Sequence, residues 1–404
     1  MTASTTTLDV RQVASVFNGK TPAKSEQRDR GYPVLKIKDV NAQGRFQGSF
    51  SGRVDAQFAK KYPKQQLVGG ETLILNAAHS ATHVASKTFY AEQDVSSSLA
   101  TGEWLIVRWN MEAVDSRYGN YWINSPETRF RLRRLVKGIH LYPRDVARLK
   151  VPLPPLAEQQ RIAAILDTAD AVRRKRQQAL ALTDELLQST FLDMFGDPVT
   201  NPKGWESVGE KDTTVGHIKE LTNVADVIDC KHRTPIYAKK GLPVVRPRDV
   251  KEDGINFVDC VRTTAEEFAD LTEKHQPRRG DIVYSRNATF GVASLITTES
   301  KFAIGQDVCL IVSRGLNSVF LWFLLNSHFV RRQLGLVSSG STFKRINLRA
   351  IRRLKILVPP LALQQHFAQI VDATERKKAS QRADLAELDT LFNALVQRAF
   401  RGDL

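Results

Sequence analysis

Val151 to Pro198 reads VPLPPLAEQQRIAAILDTADAVRRKRQQALALTDELLQSTFLDMFGDP, and the rest of the chain is organised around it. Pro152, Pro154 and Pro155 exclude a helix and set an extended lead-in. From Ala157 onward neither proline nor glycine occurs until Gly196. Apolar or small residues fall at Ile162, Ile165, Ala169, Val172, Ala179, Leu186 and Thr190, in steps of threes, fours and sevens. That spacing predicts the seam of a long helix against a partner helix, weakened locally by Arg176 and Thr183. Roughly 38 residues of helix would measure nearly 60 Å. Gly196 with Pro198 beyond it supplies the stop.

The same pattern is written a second time. Ile356 to Leu404 reads ILVPPLALQQHFAQIVDATERKKASQRADLAELDTLFNALVQRAFRGDL, so that Pro154-Pro155-Leu156-Ala157 recurs as Pro359-Pro360-Leu361-Ala362 and Gln159-Gln160 as Gln364-Gln365. Its seam runs through Phe367, Ile370, Thr374, Lys377, Gln381, Leu385, Leu388, Phe392, Leu395 and Ala399. Two matched helices in one chain are natural partners for each other. The acidic positions Asp167, Asp170, Asp184 and Glu185 read as a solvated face, and the basic clusters Arg173 to Arg176 and Arg376 to Lys378 as outward or partner-facing.

A fainter repeat precedes each helix. Gly31 to Val40 (GYPVLKIKDV) lines up with Gly241 to Val250 (GLPVVRPRDV), and Gly70-Glu71 with Gly280-Asp281. Strand-like runs are expected at 34–37, 72–75 and 104–109, and again at 243–245, 281–284 and 308–312. The reading is mixed α/β: globular regions at 1–150 and 199–355, each followed by a long helical segment, 151–198 and 356–404.

Composition narrows the function. The net charge of +16 over 404 residues points to a polyanionic partner, most often nucleic acid. The most apolar run, Val319 to Leu325, is too short to span a membrane, and the N-terminus lacks the pattern of a signal peptide. Three widely spaced cysteines, Cys230, Cys260 and Cys309, suggest neither a disulfide framework nor a zinc site and fit a reducing cytoplasm. His79 and His83 have helical metal spacing but no glutamate beside His79. No phosphate loop, nucleophile elbow or Asn-Pro-Pro-Tyr-like methyltransferase tetrapeptide is present, so no catalytic residues and no metal are expected. Basic and polar residues of recurring loops are the candidates for DNA contact: Lys20, Thr21, Lys36, Lys38, His79, His83 and Lys87 in the first region, with Lys231, Arg233, Arg246, Arg248, Arg286, Asn287, Ser341, Lys344 and Arg345 in the second.

On Leu153 to Gln160, Met194 to Trp205, Val358 to Gln365 and Ala399 to Leu404, the chain resembles the specificity (S) subunit of a type I restriction–modification system. The resemblance implies two target recognition domains, each reading half of a bipartite, asymmetric DNA site. It implies two antiparallel, coiled-coil-like spacer helices in a pseudo-twofold repeat, which set the gap and dock two modification (methyltransferase) subunits. Restriction (translocase–nuclease) subunits would join that core, and S-adenosylmethionine, ATP and magnesium would belong to those partners, leaving this chain non-catalytic and without a cofactor. The alternatives are the specificity subunit of a related fused system, a stand-alone sequence-specific DNA-binding regulator, and a nuclease acting alone; the last lacks a carboxylate cluster.

Overall fold

The computed structural model describes residues 5–197, 200, 202–207, 217–287, 289, 291–337 and 345–404. The chain divides into two units, Met1–Gln178 with Arg382–Leu404, and Ala179–Gln381, so each boundary falls inside a long helix.

In the first unit, a four-stranded antiparallel sheet has the order Ala14–Asn18, Trp104–Trp109, Thr72–Leu75, Thr88–Tyr90. Trp104 to Val107 and Leu73 to Leu75 are buried on both faces, the consequence of packing on either side of the sheet. A smaller sheet sets Tyr32–Leu35 between Gly52–Val54, antiparallel, and Leu99–Ala100, parallel. Helices Ser116–Asn124 and Pro126–Arg134 follow, capped by the carboxylate of Asp115 and the hydroxyl of Ser125. Finally Lys150–Leu153 pairs antiparallel with Thr6–Asp9 and leads into the first long helix.

The second unit repeats this plan. Its sheet has the order Ala225–Asp229, Val308–Ser313, Ile282–Ser285, Ala293–Leu295, and Leu242–Val245 lies between antiparallel Val261–Thr263 and parallel Ala303–Ile304. Helix Ser318–Asn326, capped by Asn317, buries Phe320, Leu321, Leu324 and Leu325, which is where the most apolar run of the sequence goes. Lys355–Val358 pairs with His217–Glu220 before the second long helix. The strand-like runs lie in strands within a residue or two; Ile37 alone belongs to the short helical turn that follows its strand. Gly31 and Gly241 open equivalent strands at φ 125° and 130°, and a Cβ there would strike the carbonyls of Val54 and Thr263.

The long helices run Leu156–Phe195 and Leu361–Arg401. Gly196, at φ 75°, ends the first, its N–H donating to Leu192. Pro198 lies outside the described residues. Within the first unit their segments pair antiparallel: Arg161 reaches the carbonyl of Leu404, Arg173 reaches Asp389, and Arg176 reaches Asp384. Within the second, Lys378 meets Asp184, and Phe367 packs on Phe191 and Phe195.

The expected seam is out of phase in the first helix. Val172 and Leu186 are 47% and 62% exposed, while Leu166, Leu187, Phe191 and Phe195 are buried and Arg173 takes the place expected of Val172. In the second helix Lys378, not Lys377, is buried. A straight helix drifts about 20° per heptad, and polar residues in the mid-helix seam left the apolar stripe too sparse to set the phase. The charges are also corrected. Asp170 binds Arg173 and Arg174, Asp184 binds Lys378, and Asp167 accepts from Tyr121 at 2.7 Å, so these are not a free solvated face; of the four, Glu185 is the one left exposed without a pair among the described residues. No described helix is long and apolar enough to cross a membrane.

Candidate nucleic-acid interface and its helical mount

The mount explains why proline and glutamine recur together. Gln159 is buried, its Oε1 accepting from the N–H of Asp115 at 3.0 Å and its Nε2 donating to the carbonyls of Pro154 and Ala113. Gln364 is equally buried, accepting from the N–H of Asn317 at 2.9 Å and donating to Pro359 at 2.6 Å. Each glutamine thus ties its long helix to the cap of the helix at Ser116 or Ser318. Proline-broken backbone leaves carbonyls that no helix satisfies, and a side chain with both a donor and an acceptor serves both needs. The sequence displayed these residues; their role required the helix caps at Asp115 and Asn317, each more than forty residues away.

Above the mount, both units carry the same turn. The backbone N–H groups of Lys36 and Arg246 donate to the buried carboxylates of Asp39 and Asp249 at 2.8 and 2.9 Å. This points Lys38 and Arg248 outward, both exposed. Lys87 joins the first turn from below: its Nζ donates to the carbonyls of Val40 at 2.7 Å and Ile37 at 3.3 Å, and burial lowers its pKa. Lys36, Lys38 and Lys87 are therefore brought together, Lys87 as a support. Arg246 binds Asp249 at 3.0 Å and the carbonyl of Asp259 at 2.8 Å.

The remaining candidates separate by their surroundings. Lys20 is exposed over the ring of Tyr62, and the exposed Thr21 accepts from the N–H of Gly102. His79 and His83 are exposed on a loop of their own, with His83 Nδ1 2.7 Å from Ser80 Oγ. Lys231 bonds Asp270 and Glu273, and Arg233 bonds Glu267 and Asp270. Asn287 and Arg345 meet at the carboxylate of Asp307. Ser341 and Lys344 lie outside the described residues.

Arg286 is a strut of the fold. Its side chain is 5% exposed, bonded to Asp229 at 2.7 Å and to the carbonyl of Ile346. The first unit places Asn76 and Asn18 there, the Asn76 amide donating to Asn18 at 3.0 Å, and the backbone carbonyls of Asn76 and Arg286 accept at 2.8 Å from the N–H groups of Leu141 and Ile346. Among the described residues, Asp229, Cys230 and His232 form the one group with metal-ligand character. The guanidinium of Arg286 already holds Asp229, so this is an ion-pair site. A polar cavity of about 410 Å³ in the first unit lies beside Arg45, Tyr121 and Asp170.

Lys60, Lys61 and Lys64 are exposed cations outside the candidates named from the sequence. Charge compared between the repeats at matched positions singles them out, Lys61 standing against Asp270 and Lys64 against Glu273.

The family described as type I restriction modification DNA specificity domain matches residues 6–182 and again residues 210–390. A putative MjaX specificity subunit of a type I restriction enzyme, from Methanocaldococcus jannaschii, is 21% identical over 98% of this chain and 92% of its own length. The EcoBI specificity subunit of Escherichia coli is 23% identical over 98% of this chain and 85% of its own. Among solved structures, the type I restriction-modification S subunit from M. genitalium superposes with a TM-score of 0.54 at 14% identity, covering 98% of this chain and 96% of that one. A similarity that low shows a shared fold.

Proposed function

The chain belongs to the type I restriction modification DNA specificity family, and on that premise we propose that it is the DNA-reading, non-catalytic subunit of such a complex. Each unit reads one half of a bipartite, asymmetric site. The observation that carries this reading is one scaffold built twice, each copy locked by a glutamine to the root of a long helix. Two readers on one chain gain affinity because the second half-site binds at high effective concentration. The paired helices, 40 and 41 residues long, set the number of unread base pairs and dock two modification subunits.

Among the candidates, Lys38 and Arg248 at the matched turns are the outward cations of the reading surface, and Lys20, Thr21, His79 and His83 are the other exposed candidates of the first unit. Lys87, Arg233, Arg246 and Arg286 shape the loops that present them. Adenine methylation and cleavage, with S-adenosylmethionine, ATP and magnesium, belong to the modification and restriction subunits, and the complex works in the cytoplasm.

Co-expression with its modification subunit, followed by mapping of methylated adenines, tests the proposal. Methylation confined to one bipartite motif with a fixed gap is the expected result. Removing one turn from both long helices should shorten the gap and leave the half-sites unchanged. Failure to co-purify, with no change in methylation, would sink the assignment in favour of a stand-alone DNA-binding protein.

A further inference from the structure

The two units put a short helix and its following turn at the same place in the fold but give them opposite charge. Val54 and Thr263 pair with the equivalent residues Tyr32 and Leu242, and the caps Asp55 and Thr264 follow them, so Ala56–Lys61 and Ala265–Leu271 align from their first residues. Lys61 in the first unit then stands where the second has Asp270, and Lys64 where it has Glu273. Asp270 and Glu273 are the carboxylates that hold Lys231, at 2.6 and 2.7 Å, and Asp270 shares Arg233 with Glu267.

Lys20 follows the strand Ala14–Asn18 at the position where Lys231 follows Ala225–Asp229. The two carboxylates that hold Lys231 are replaced by Lys61 and Lys64. The Nζ of Lys20 lies 5.1 Å from the centre of the Tyr62 ring, with that of Lys61 5.7 Å from the same ring and that of Lys64 4.8 Å from the ring of Phe17. Lys20, Lys60, Lys61 and Lys64 are all exposed, and among the described residues none of them forms an ion pair. Lys20 and Lys61 share one ring, Lys60 and Lys64 are their exposed neighbours in the chain, and a polyanion relieves the repulsion among such ammonium groups. Lysine binds phosphate as a point charge and carries no base information.

We propose that Lys20, Lys60, Lys61 and Lys64, the lysine rim beside Tyr62 and Phe17, grip the phosphate backbone of duplex DNA at the half-site read by the first unit, whereas the matching rim of the second unit is closed by its own carboxylates and makes no such grip. The electrostatic share of affinity then comes unequally from the two units. This rests on the DNA-reading function proposed above.

The test uses the full chain assembled with its modification subunits and a duplex carrying the methylated motif, with Kd measured as salt is raised. The variant K60Q/K61Q/K64Q removes three phosphate contacts, so the slope of log affinity against log salt should flatten by about 2.7. Between 50 and 200 mM salt the variant should therefore lose about 40-fold less affinity than the parent. The methylated motif should stay the same. D270A/E273A, which frees Lys231, should steepen the slope by up to about 1. A triple variant with the parental slope overturns the proposal, and because a slope does not depend on the fraction of active protein, partial misfolding cannot imitate either result. Parental slope with weakened assembly would assign the rim to an acidic protein surface, against the proposal. A parent complex with no sequence preference on any duplex would instead sink the DNA-reading function itself.

Discussion

At the root of each long helix the two units are nearly interchangeable, whereas at the rim they are opposites. Gln159 and Gln364 satisfy the same kind of buried backbone groups with the same atoms. Lys61 and Asp270 occupy one place in the fold with charges of opposite sign. The root is buried, so its polar groups must be paired whatever DNA is read. The rim faces water, where the fold accepts either charge and the partner decides which one is useful.

Between root and rim lies a layer that keeps its position and changes its chemistry. Phe367 matches Ile162, and both are buried. Phe367 sits in an aromatic cluster with Phe191, Phe195 and Phe323, whereas beside the other root Tyr118 packs on Phe400 and Tyr121 on Phe392. The largest effect should come here. Phe367→Ala should cost about 3–5 kcal/mol in the second unit, and Ile162→Ala about 2–5 kcal/mol, toward the lower end, in the first. Denaturant unfolding followed in variants that keep only Trp322 or only Trp122 reports each unit separately. Equal losses would break the contrast between an aromatic root and a mixed one.

Next come the glutamines. Gln159→Leu strands the N–H of Asp115 and the carbonyls of Pro154 and Ala113, at about 1–3 kcal/mol for each buried group left unpaired. Gln364→Leu should behave alike and slightly more mildly, since it loses two bonds. The same unfolding measurement decides it, and a neutral result at either position would show that the roots are not held as described.

Smaller again is a prediction for Lys378, which burial pushes down in pKa but Asp184 and Glu375 outweigh, leaving it raised. Lys378→Met should change stability by no more than about 1 kcal/mol, because its partner Asp184 can return to water and the buried site accepts an apolar stem. A loss of several kcal/mol in urea unfolding would mean that this ion pair is a principal clamp.

The smallest effect concerns pH at the rim. Lys231, and then Arg233, hold the Asp270 carboxyl below its ordinary 3.8, and Arg233 first among several groups holds Glu267 below its ordinary 4.5. Groups with depressed values stabilise the fold above the unfolded value and lose that contribution as pH falls through the folded one. Acid below those ordinary values should therefore loosen the second rim, while the lysine rim of the first unit carries no such ion pairs to lose. Carboxyl titration by NMR with ordinary values at Asp270 and Glu267 would remove this difference between the units.

How far the sequence could be read depended on where each partner comes from. The helices, their glycine stop and the twofold repetition are local patterns of spacing and were legible. The phase of the first seam was not, because Arg173 and Arg176 lie in it to meet Asp389 and Asp384 from the far end of the chain. The cations sort the same way. Arg286 and Arg248 look alike as letters, yet one is a buried strut and the other an exposed charge.

By itself the sequence determined that this chain is two copies of one plan, each a mixed α/β region followed by a long helix with a proline–glutamine root. Periodicity and repetition suffice for that, because they state which backbone can form and where it must stop. Only the tertiary structure decided which side of each helix is buried, which charges cancel internally and which remain for a partner. Those outcomes depend on side chains brought together across as many as 216 residues, as Arg173 and Asp389 are, and no local pattern contains them.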